Sequence, residues 1–152
     1  MSFAIGTPAP AFALKNQFGE TVSLSDFTNK KAVVLVFFPL AFSGICTGEL
    51  CELRDNFAMF KDANIELIGV SVDSHFTLRA FADQEKYDFS LLSDFWPHGD
   101  VAKAYGAFVE EAGIANRATF VIAKDGTIAG EFITAPGEAR SLSAYTEILA
   151  TL

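Results

Sequence analysis

The 152-residue chain is 51% hydrophobic and 20% charged, the balance of an ordinary folded protein and not of a disordered one. Its formal net charge of −8 disfavours nucleic acid or an anionic membrane surface as a partner. No apolar run approaches the roughly 18 residues of a membrane-spanning helix. The length suits one domain, placed at residues 1–152, because no repeat, low-complexity tract or Ser/Gly-rich linker divides it. The start, "MSFAIGTPAPAFAL", has no basic stretch and is broken by Pro8 and Pro10, so it does not read as a signal peptide. A cytoplasmic location follows by default, and there two cysteines are more often reactive thiols than a structural staple. Sixteen phenylalanines point to an aromatic-rich core with apolar surface left over for a partner subunit.

In chain order, "FALKNQFGETVSL" predicts a hairpin around Gly19. "AVVLVFF" (32–38) is a continuous apolar run of the kind buried on both faces of a sheet. From about Gly44 to Ala63 the pattern is helical, with Leu50, Leu53, Phe57 and Phe60 three or four apart and Glu49, Glu52, Arg54 and Asp55 between them. "IELIGVSV" (65–72) is a second buried strand. Ser74 then caps an amphipathic helix in "DSHFTLRAFADQEKY". "FSLLSD" suits a short strand, "GDVAKAYGAF" a short helix, and "RATFVIAKDGTIAGEFI" a hairpin turning at Asp125-Gly126. "SLSAYTEILATL" closes the chain as a helix. Strands alternating with helices, and a late hairpin that must be antiparallel, give an α/β fold with a mixed central sheet and an N-terminal β-hairpin extension. With a cysteine where the first main strand meets its helix, this order looks like the thioredoxin fold.

The cysteines are Cys46, at the end of "PLAFSGIC", and Cys51, at the end of "CTGELC". Cys46 falls in the first turn of a helix, where unpaired backbone N–H groups and the helix dipole favour thiolate over thiol. A free cysteine with pKa ~8.5 is only a few per cent ionised at pH 7, and lowering that by about two units makes thiolate the major form. Pro39 cannot donate to the strand ladder, Gly44 lets the backbone approach a ligand, and Ser43 adds a hydroxyl close by. A small polar pocket with a nucleophile at its base is one reading. The other is a small buried hydrophobe, because Cys46 shares the helix face of Leu50, Leu53 and Phe57. Arg117, in "NRATF", reads as a surface strand charge on its own; Glu49, one turn after Cys46, reads as a solvated helix charge or as a residue that positions Arg117 or another group near the cysteine. His75 and His98 are too few for a convincing metal site. Trp96 suits core or interface.

"PLAFSGIC" resembles the peroxiredoxin signature Pro-x-x-x-Thr/Ser-x-x-Cys, with Pro39, Ser43 and Cys46 in the matching positions. "VLVFFPLAFSGIC", "LLSDFWPHGDVAKAYGAF" and "GIANRATFVI" together resemble the alkyl hydroperoxide reductase E-type peroxiredoxins of actinobacteria, from about Phe3 to Ala150. The resemblance implies a thiol-dependent peroxidase acting on hydrogen peroxide, organic hydroperoxides or peroxynitrite. Cys46 would be the peroxidatic thiolate that becomes a sulfenic acid. Ser43 would hydrogen-bond the peroxide, Arg117 would hold the thiolate and polarise the peroxide oxygens, and Pro39 would shield the sulfur from water. Such a site works without a metal or cofactor.

Cys51 departs from the E-type pattern, which usually lacks a cysteine there, and looks instead like the second cysteine of the peroxiredoxin Q branch. The implied role is to resolve Cys46 through an internal disulfide. Thioredoxin suits that route as reductant; mycothiol or a glutaredoxin-like partner suits a lone sulfenic acid. Two other roles stay open: a peroxide sensor, and a thiol–disulfide exchanger, though the latter commonly uses Cys-x-x-Cys. In a helix the two cysteine Cα atoms stand roughly 8–9 Å apart, beyond the ~4.4–6.8 Å of a disulfide, so the helix start must open. Cys51 is expected nearly opposite the core face, beside Arg54 and Asp55.

Overall fold

The computed structural model describes residues 3–135, 137–150 and 152, with Cys46 described by its backbone alone. The N-terminal hairpin pairs β1 (Ala13–Lys15) with β2 (Thr21–Ser23), Leu14 opposite Val22. Its turn needs Gly19 at φ 79°, and the Asn16 side chain accepts from the N–H groups of Phe18 and Glu20. There follow β3 (Ala32–Phe37), α1 (Gly44–Asp55), α2 (Ala58–Asp62), β4 (Ile65–Ser71), α3 (His75–Glu85) and β5 (Ser90–Ser93). The last part holds α4 (Asp100–Ala104), a small hairpin of β6 (Phe108–Val109) and β7 (Ile114–Ala115), then β8 (Arg117–Ile122), β9 (Ile128–Thr134) and α5 (Leu142–Leu149).

The main sheet runs β2-β1-β5-β4-β3-β8-β9. β3, β4 and β5 are parallel, while β8, β9 and β1 join antiparallel to β3, β8 and β5. The expected α/β fold, mixed sheet and hairpin extension are all present. The unbroken apolar run of β3 has a direct cause. Val33, Leu35 and Phe37 enter one cluster with Ile68 and Phe120, while Val34, Val36 and Phe38 enter the other with Leu50, Leu53 and Phe81. A strand covered on both faces has no polar side to alternate with. Each large side chain so buried contributes about 1.5–3 kcal/mol, which fixes the strand whose C-terminal end carries the Pro39–Cys46 loop.

Two elements differ from expectation. The helix foreseen over 44–63 breaks between Asp55 and Ala58. Asn56, at φ −114°, turns its side-chain amide onto the Glu52 carbonyl at 2.9 Å, the competition with the backbone that makes asparagine a poor helix-interior residue. The β6–β7 hairpin was not foreseen, since two-residue strands carry no period to read. No helix among the described residues is long and apolar enough to cross a membrane.

Candidate active site

The loop leaving β3 is held from beside it. The Asp73 carboxylate, just past β4, accepts from the Ala41 N–H at 2.8 Å and the Ser71 hydroxyl at 2.6 Å. Pro39 is buried at the strand's end. Phe42 takes a left-handed φ of 67°, a conformation that costs a non-glycine residue of order 1 kcal/mol or more; its ring lies against Phe81, centroids 5.0 Å apart. Ser43 is the N-cap residue of α1, yet its hydroxyl does not cap. It donates instead to the Leu40 carbonyl at 3.0 Å, leaving its lone pairs open as acceptors. The first-turn amides of α1 therefore carry no side-chain cap and keep their preference for an anion. Cys46 lies in that turn by its backbone; the expectation for its sulfur falls outside the described residues.

Arg117 opens β8 and is buried, 2% exposed. The reading of it as a surface charge is corrected, because its guanidinium pairs with Glu49 inside the protein. Glu49 is likewise no solvated helix charge: its side chain is 4% exposed. Its carboxylate also takes the Arg140 backbone N–H, Nε at 3.1 Å and Nη2 at 3.0 Å. Burial alone would raise the Glu49 pKa, but the hydrogen bonds and charges of Arg140 and the charge of Arg117 outweigh it, and the net direction is down. Arg140 completes its fork on the Ala118 carbonyl (3.0 Å) and Thr119 Oγ1 (3.1 Å). Two guanidinium groups thus share one carboxylate. The carboxylate member, Glu49, follows Cys46 by three residues along α1, about one helical turn.

Cys51 points elsewhere. It is half-buried against the core, so its expected place beside Arg54 and Asp55 is only partly right. Its Sγ lies 3.3 Å from Glu85 Oε1 and 3.4 Å from the Tyr87 hydroxyl. Burial pushes the thiol pKa up; the Tyr87 hydrogen bond opposes this, and Glu85 adds to it. Trp96 is 81% exposed, which excludes a core role. His98 hydrogen-bonds the Gly113 carbonyl at 2.6 Å.

Thus the structure brings Arg117 and the first turns of α1 together through Glu49, and sets Pro39 and Ser43 at the mouth of that helix. It places Cys51 on another face. Sequence reasoning missed Arg140, Asp73, Glu85 and Tyr87. Arg140 sits in an irregular segment with no pattern to flag it. Of the two readings of Glu49, the geometry supports the one in which it positions Arg117: it lies on the buried helix face of Leu53, and a carboxylate there needs a cation.

Residues 5–130 match the AhpC/TSA family. The chain is 46% identical over 148 residues to "Alkyl hydroperoxide reductase E" of Mycobacterium tuberculosis, covering 97% of both. It is 35% identical to "2-Cys peroxiredoxin BAS1, chloroplastic" of Hordeum vulgare, over 97% of this chain and 73% of that one. Among solved structures, Enterococcus faecalis AhpC superposes with a TM-score of 0.88 at 28% identity, over 96% of this chain and 90% of that one. Those structures share its thioredoxin-like fold, and with the sequence match they settle the family: the chain belongs to the AhpC/TSA peroxiredoxins, enzymes that reduce peroxides at a cysteine thiol.

Proposed function

We propose that Cys46 is the peroxidatic thiolate of this enzyme. The observation that carries the reading is the buried Arg117–Glu49–Arg140 cluster, in which two guanidinium groups share the Glu49 carboxylate, built on the helix whose first turn holds Cys46. A fixed cation and uncapped amides stabilise a thiolate in the resting enzyme and the alkoxide that develops as the O–O bond breaks. The Cys46 sulfur attacks the terminal peroxide oxygen and becomes a sulfenic acid, and the departing alkoxide is protonated to an alcohol or water. Ser43, whose own proton serves Leu40, accepts from the peroxide O–H. Pro39 keeps water from the sulfur. Expected for Cys46→Ser is a folded protein with no peroxide consumption above background; turnover near the wild-type rate would overturn the assignment.

Cys51 then resolves the sulfenic acid as an internal disulfide, which thioredoxin reduces; a cytoplasmic setting keeps both thiols reduced at rest. The Cα separation across intact α1, roughly 8–9 Å, favours a second reading, in which mycothiol or a glutaredoxin-like partner reaches the sulfenic acid first. Mass spectrometry after one equivalent of peroxide separates the two. A homodimer forms on the exposed aromatic surface of Phe76, Phe95 and Trp96.

A further inference from the structure

The far face of α1 carries a second polar cluster with its own proton accounting. The titratable and charged groups facing Cys51 are Glu85 at the end of α3, Tyr87 just beyond it, and Arg54 on α1 itself, whose Nη1 binds the Glu85 carbonyl at 2.6 Å. The Glu85 carboxylate can only accept, so the Cys51 S–H is the proton between them. The Tyr87 hydroxyl has one proton, and the Thr47 carbonyl at 3.3 Å takes it. That carbonyl is also the helical acceptor of the Cys51 N–H, four residues on. Ionising Cys51 would set the Glu85 carboxylate against an anion at 3.3 Å, while the Tyr87 proton, turned from Thr47 to the sulfur, would favour the thiolate.

We infer that Glu85 is a positioning residue of the resolving step: its carboxylate holds the Cys51 proton and keeps that thiol in place on intact α1. This rests on the resolving role proposed for Cys51. In that step an electron pair of the Cys51 sulfur forms the S–S bond, the Cys46 S–O bond breaks, and the leaving hydroxide combines with the proton from Cys51 as water. The sulfenic sulfur is reduced and the thiol sulfur oxidised, so no further oxidant is needed. A proton held by Glu85 delays the step and lengthens the life of the sulfenic acid. The direction in which burial and Glu85 push the Cys51 thiol agrees with this.

The test has two arms. In a Cys46→Ser background, where Cys51 is the one remaining thiol, iodoacetamide alkylation is followed against pH. Glu85→Gln should lower the midpoint, and Tyr87→Phe, which removes a donor to the thiolate, should raise it. Each unit of fall multiplies thiolate tenfold but weakens its nucleophilicity about threefold, a net gain of about threefold in rate at neutral pH. In the Cys46-containing enzyme given one equivalent of peroxide, Glu85→Gln should speed disulfide formation by a similar factor. An unmoved midpoint alongside a normal wild-type disulfide overturns the role of Glu85 alone. Shifts of the expected sign with no Cys46–Cys51 disulfide from wild type overturn the resolving role, and the inference with it.

Discussion

Glu49→Gln isolates the charge at the centre of the site while keeping its shape. In the native protein the carboxylate accepts four hydrogen bonds, one from Arg117 and three from Arg140. Glutamine leaves no cavity, but it turns an amide toward guanidinium and leaves two buried cations without their counter-ion. Removing one partner of a buried pair costs about 3–5 kcal/mol, and the retained carbonyl oxygen places this variant near the lower end, about 3 kcal/mol. For a chain of this size that is a fall in Tm of about 6–12 °C. The pH dependence gives a second readout with a definite sign. The Glu49 pKa lies below its ordinary 4.5 in the folded state. A depressed folded pKa means stability that is present above the unfolded value and lost as pH falls through the folded one. The gap between wild type and variant is therefore full at neutral pH and narrows on acidification below about 4.5. Thermal unfolding by circular dichroism on reduced protein, from pH 7 down to pH 3, measures both. A neutral-pH difference under about 2 °C, or a gap that does not narrow in acid, would refute the reasoning.

Arg117→Ala should raise the Cys46 pKa and slow peroxide reduction about a hundredfold, ~2.7 kcal/mol of transition-state stabilisation; stopped-flow rates and a thiolate titration, both unchanged, would count against it. Cys51→Ser should let the Cys46 sulfenic acid persist and overoxidise, seen by mass spectrometry as added oxygens under excess peroxide. Trp96→Glu puts a charge on the exposed aromatic surface and should shift sedimentation from dimer toward monomer at micromolar concentration. A wild type that sediments only as monomer, reduced and oxidised, removes that reading.

The strands and most helices were legible because their apolar patterns report burial directly: β3 reads as covered on both faces and is. The α1–α2 break was not, since the Leu50–Phe60 period continues across it and only the Asn56 side chain interrupts the backbone. At the site, Pro39, Ser43 and Cys46 form a local motif within eight residues and could be read as one. The charge balance could not. Glu49 meets Arg140 across 91 residues, and Arg140 stands in a segment without periodicity. A lone arginine looks solvated until the fold supplies its carboxylate. The same holds for Cys51: helix rotation gave its direction, but Glu85 and Tyr87 come from another helix end.

Glu49 also sets the cost of the disulfide that Cys51 is proposed to make. It lies between the two cysteines, so opening the helix far enough to bring their Cα atoms from roughly 8–9 Å to under ~6.8 Å draws it away from Arg117 and Arg140. Breaking that buried network costs about 3–5 kcal/mol. The cross-link gives back chain entropy, but a loop of about six residues returns only about 2.2 kcal/mol. The oxidised form is thus less stable than the reduced form by about 1–3 kcal/mol, against the usual sense of a disulfide. Its Tm should fall by about 2–12 °C and recover on addition of dithiothreitol. In Glu49→Gln, where the network is already lost, oxidation should instead raise the Tm slightly. An oxidised wild type that melts above the reduced form would mean that the disulfide closes with Glu49 still in place.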